Sequence, residues 1–91
     1  MSTQYIVDAS TTREAIIEQG QQVYDERLKA DLERRHRGRF VAIEPFSGDY
    51  FLGDTSAEAL IAAHGAFPDR RFYLLRIGFD AAHTIGGHVA R

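Results

Sequence analysis

Residues Gly38-Arg39-Phe40-Val41-Ala42-Ile43-Glu44-Pro45-Phe46-Ser47-Gly48-Asp49-Tyr50-Phe51-Leu52-Gly53-Asp54-Thr55 decide the fold. Arg39 to Glu44 is dense in β-branched and aromatic side chains, Pro45 to Asp49 carries turn chemistry, and Tyr50-Phe51-Leu52 reads as a returning strand. Gly48 is free to take the positive φ that a tight reversal needs. Residues 39 to 52 are therefore expected to form a β-hairpin.

On the N-terminal side of Gly38 the period changes. Ile17, Gly20, Tyr24, Leu28 and Leu32 recur at steps of three or four, and Ile16 and Val23 widen the stripe, which is the spacing of one helix face. Ser10, Thr11 and Thr12 are all plausible N-caps, and Thr11 with Glu14 has the capping-box spacing. The cations Arg34, Arg35, His36 and Arg37 suit a helix C-terminus, with Gly38 as the residue that leaves it. These signals predict a helix over 11–37, about 40 Å long if unbroken. The pattern leaves open whether the rod breaks at Gly20. Ahead of it, residues 1–10 read as a tail whose apolar patch is Tyr5-Ile6-Val7.

On the C-terminal side, Thr55 and Glu58 repeat the capping-box spacing. Ala59, Leu60, Ala63 and Phe67 then line one helix face, and Pro68 stops the helix. Arg71 to Ile77 is a near-continuous apolar run, expected in the middle of a sheet. Residues 79–91 read as a tail, with Gly86-Gly87 allowing a turn and a short extra strand. The expected fold class is α+β, in the order α-β-β-α-β. One domain spans 11–78, with a ββαβ core over 39–78 and a small antiparallel or mixed sheet in the strand order 2-1-3.

Composition narrows the function classes. The chain has 91 residues, a formal charge of −2, 44% hydrophobic residues and no cysteine. That suffices for one small domain and leaves no disulfide, thiolate nucleophile or zinc–cysteine site. No apolar run approaches the roughly 20 residues that span a bilayer, so no membrane partner is expected and the chain is read as cytoplasmic.

The stretches Gly38 to Ile43, Ser47 to Thr55, Ala57-Glu58-Ala59, and Pro68 with Phe72 to Gly78 together resemble an uncharacterised family of small bacterial proteins with the pattern GxxVAI…SGDYxxG…P…FYxxRIG. The likeness covers roughly residues 24 to 87. It implies no catalytic residues or cofactor. What it does imply is a regulatory partner of a neighbouring gene product, such proteins being encoded in small operons, sometimes beside a retropepsin-like protease.

Arg34, Arg35, Arg37 and Arg39 could grip nucleic-acid phosphates, although Asp31 and Glu33 stand close enough to pair with them. His83 and His88 with Asp80 have no recognised metal-ligand spacing. His64 reads as a surface or boundary residue. Glu44 and Asp49 could face each other across the hairpin turn, but a core this small offers little pocket for an acid/base pair. Arg76, a charge inside an apolar strand, must find a partner, and Glu44 on the neighbouring strand is the expected one. No catalytic set, metal site or cofactor is assigned. The leading expectation is a non-enzymatic protein-protein interaction module, a homodimer joined through a surplus helix face of Ile16, Ile17, Val23, Tyr24 and Leu28. The alternative is a nucleic-acid-binding regulator that uses the arginine cluster.

Overall fold

The computed structural model describes residues 12–79 and the two-residue strand 84–85. The patch Tyr5-Ile6-Val7 and the grouping of Asp80, His83 and His88 lie outside the described residues.

The predicted long helix is three segments: α1 (Arg13–Val23), a π-helical turn (Tyr24–Leu28) and α2 (Lys29–Arg35). Among the described residues the rod begins at Arg13 and the element order is α-π-α-β-β-α-β-β, where a single long helix was expected. Of the three candidate caps Thr12 takes the role rather than the capping-box Thr11, its Oγ1 accepting from the Ala15 amide at 3.1 Å. The rod ends at Arg35 rather than Arg37, the His36 amide donating to the Leu32 carbonyl at 2.7 Å. Gly38, at φ +93°, then turns the chain into the sheet.

The π turn has a cause in the spacing. Gly20, Tyr24, Leu28 and Leu32 are four apart, while an α-helix repeats every 3.6 residues. In an unbroken α-helix Ile16 and Leu32 would point about 160° apart at about 100° per residue. The π turn, in which the Lys29 amide reaches back to the Tyr24 carbonyl, absorbs one residue and reduces this to about 60°. Both Ile16 and Leu32 are consequently 1% exposed.

Among the described residues four strands form one sheet: β1 (Phe40–Ile43), β2 (Tyr50–Gly53), β3 (Tyr73–Arg76) and β4 (Thr84–Ile85), in the order β2-β1-β3-β4. Every pairing is antiparallel, with Phe40 opposite both Gly53 and Arg76. The expected 2-1-3 order is present, and β4 extends it so that β3 has a neighbour on each side. Tyr73, Leu74 and Leu75 are accordingly all buried. Between β2 and β3 runs α3 (Ser56–Ala66), capped by Thr55, whose Oγ1 accepts from the Glu58 amide at 3.1 Å. The Glu58 carboxylate reaches back to the Asp54 amide at 2.9 Å, one residue beyond the usual capping box.

Strand alternation gives the sheet two different faces. Val41, Ile43, Tyr73, Leu75 and Ile77 share a core with Ile16, Val23, Tyr24 and Leu32 of the helical rod. Ala42, Phe72 and Leu74 share another with Ala59 and Ala63 of α3, with Phe40, Phe51, Leu60 and Phe67 packed around it.

Candidate functional site

The expected self-association face does not lie on the surface. Ile16, Val23 and Tyr24 are buried, and Ile17 and Leu28 are partly buried against the same core. Val41, Ile43, Tyr73, Leu75 and Ile77 of the sheet present an apolar row to this helix stripe. With the π turn holding the stripe in phase, the sheet buries Ile16, Val23 and Tyr24 and partly covers Ile17 and Leu28.

The arginine cluster is divided among carboxylates. Asp31 accepts from Arg34 at 3.0 Å and from Arg35 at 3.2 Å, Glu33 stands 3.7 Å from Arg37, and Asp54 pairs with Arg39 at 2.9 Å. Arg37 also reaches the Gly78 carbonyl at 3.4 Å. Each of the four cations thus already has an anionic neighbour. A phosphate backbone would have to displace these, which weakens the attraction that the bare sequence suggests.

The expected Arg76–Glu44 pair is absent for a reason of register. Arg76 lies opposite Phe40, at the far end of β1 from Glu44. Its Nε donates to the Gly38 carbonyl at 3.1 Å, and its guanidinium stacks 4.3 Å from the Phe79 ring centroid. Glu44 is instead held beside the hairpin turn: Oε1 accepts from the Ser47 amide at 2.7 Å and meets Arg70 Nη1 at 3.3 Å. Asp49 serves the turn through its main chain, its carbonyl accepting from the Glu44 amide at 2.8 Å. The exposed His64 lays its ring edge-on to Phe72.

Beside the π turn a groove of about 290 Å³ is lined by residues that include Gln21, Tyr24, Asp25, Lys29, Glu33 and Phe79. Its polar groups are largely engaged with one another. Tyr24 donates to Glu33 at 3.0 Å, Tyr73 donates to Gln21, and Gln21 donates to Asp25 at 3.1 Å. Burial first, and then the Glu33 carboxylate, push the Tyr24 phenol up to about 12. Burial and the charge of Asp25 do the same for Tyr73, also to about 12. Both phenols stay protonated at neutral pH, so neither supplies a base. Among the described residues no three His, Asp or Glu side chains converge as metal ligands.

The feature that sequence reasoning missed is the outer side of β2. The Glu44–Asp49 bond fixes the ladder's parity: antiparallel residues alternate between hydrogen-bonded and non-bonded pairs, so Phe51 and Gly53 direct their main-chain groups to β1. Tyr50 and Leu52 direct theirs outward, and β2 is an end strand with no described neighbour beyond it. The strand reads Tyr-Phe-Leu-Gly, without the charge, proline or bulge that usually blunts such an edge. Tyr50 is 40% exposed and Phe46, in the adjoining turn, 48%. The available signal was the expected 2-1-3 order itself, which already leaves strand 2 at an edge.

No protein-family model, curated protein or solved structure matches the chain. Among the described residues no helix is long and apolar enough to cross a membrane.

Proposed function

We propose that this chain is a non-enzymatic protein-interaction module that accepts an extended segment of a partner as an added strand beside β2. The observation that carries the reading is the outward-directed main-chain groups of Tyr50 and Leu52 on an edge strand that holds neither charge nor proline. Strand addition satisfies main-chain groups for affinity, while alternate side chains supply specificity. The face expected to mediate association, Ile16 to Leu28, gives up that role because the chain's own sheet occupies it. The arginine cluster is a poorer surface because its cations are paired internally.

The test is capture of partners from the native cell with the wild-type chain and with Leu52→Pro as baits. Proline removes the outward amide at a position whose amide β1 does not use, and end strands tolerate it. Proteins retained by the wild-type chain should be lost with Leu52→Pro while its circular dichroism is unchanged. An identical set on both baits would overturn the reading.

A further inference from the structure

We infer that the strand taken up beside β2 is β2 of a second copy of this chain, running antiparallel about a two-fold axis through Phe51. The inference rests on the edge-binding reading above and names its occupant.

Hydrogen-bond parity restricts the possible registers. Only Tyr50 and Leu52 turn main-chain groups outward, so a hydrogen-bonded pair between copies must join two of these residues. Pairing Tyr50 with Tyr50, or Leu52 with Leu52, leaves the other outward residue without a strand partner. Pairing Tyr50 of each copy with Leu52 of the other engages every outward amide and carbonyl that β2 offers. It is also symmetric, as an isologous dimer interface must be.

The side chains suit that same register. Phe51 falls opposite its counterpart in a non-hydrogen-bonded pair, where side chains approach most closely. Each Tyr50, 40% exposed in the single chain, gains a leucine opposite it. Continued outward, the register sets Asp49 opposite Gly53 and Asp54 opposite Gly48, so no carboxylate stands directly opposite another. A one-residue slip would put Asp49 opposite Asp54, but hydrogen-bond parity already forbids it. The product is a single sheet continuous through both copies, with α3 packed beside the join on each.

The absence of cysteine makes the register directly testable. Oxidised Phe51→Cys should form a disulfide-linked dimer, since a non-hydrogen-bonded antiparallel pair holds its Cα atoms about 4.5 Å apart, within disulfide reach. Ser47→Cys, in the turn outside the pairing, should not. Phe51 also packs edge-on to Phe67 and Phe72, so a measurement on the unaltered chain accompanies this one. Sedimentation of the wild-type chain should give a dimer, and amide exchange at Tyr50 and Leu52 should slow as concentration rises. Leu52→Pro should weaken the dimer at least about tenfold. A wild-type chain that stays monomeric, with exchange at Tyr50 and Leu52 independent of concentration, overturns the self-pairing. The edge reading survives that result if Leu52→Pro still loses partners captured from cells. A dimer that Leu52→Pro leaves intact overturns the self-pairing and, where the captured set is also unchanged, the edge reading with it.

Discussion

The helical rod and α3 cover opposite faces of one sheet, and each reaches it by a different use of glycine. On the rod's face the glycine is in the helix: a Cβ built on Gly20 would lie 2.4 Å from the Cβ of Tyr73. On the other face the glycine is in the strand, where a Cβ on Gly53 would lie 2.4 Å from the Ala59 amide nitrogen. The rod brings large side chains, Ile16, Val23, Tyr24 and Leu32, and needs one gap for an aromatic ring from the sheet. In α3 the buried residues are Ala59 and Ala63, so the helix backbone itself comes close and the sheet and its flanks supply the rings. Close approach thus depends on which partner gives up its side chain.

Substituting the two glycines is the strongest way to break this comparison. Helix propensity alone predicts that Gly20→Ala stabilises by about 1 kcal/mol. The contact with Tyr73 predicts a net loss of about 1–3 kcal/mol, because β3 is held between β1 and β4 and has nowhere to move. Gly53→Ala should lose at least as much, since its obstacle is the α3 backbone at Ala59 and Glu58 rather than a side chain. Urea denaturation of both variants checks the order, and a stabilised Gly20→Ala would refute the packing account.

The phenols sharpen the comparison next, because both belong to the rod's face. Each is pushed from its usual 10 up to about 12. The folded chain therefore holds these protons more tightly than the unfolded chain. The stability they contribute is complete below pH 10 and is lost as pH rises from about 10 to 12. Melting temperature should fall across that window, and less steeply in Tyr24→Phe. An equally steep fall in that variant would remove Tyr24 as a cause.

Smaller effects follow at the sheet's margins. Arg70→Ala leaves the buried Glu44 carboxylate with its Ser47 amide but no cation, and should cost about 1 kcal/mol by denaturation. Arg34→Ala with Arg35→Ala, both exposed and sharing one carboxylate, should stay within about 0.5 kcal/mol of wild type.

Much of the architecture was legible because it rests on local chemistry. The hairpin strands, the Thr55 cap, the stop before Pro68 and the buried run 73–75 follow from side-chain period and turn residues over a few positions. What escaped depended on register between distant segments. Arg76 and Glu44 lie on strands expected to neighbour each other, but antiparallel pairing sets them at opposite ends. The helix stripe looked unsatisfied until the sheet's second face was counted against it. The π turn did leave a trace, since three successive four-residue steps outrun the 3.6 period, but drift of that kind is small beside the amphipathic pattern that carries it.

The π turn also bears on how the two faces can change over time. Because Tyr24–Leu28 holds one residue more than an α-helix needs, deleting a single residue there would straighten the rod and leave Ile16 and Leu32 on the same side. The same deletion between Ala59 and Ala63 would rotate one alanine off the sheet by about 100°. Chain length is thus negotiable above one face of the sheet and fixed above the other, so insertions and deletions among descendants of this sequence should collect in the rod and spare α3.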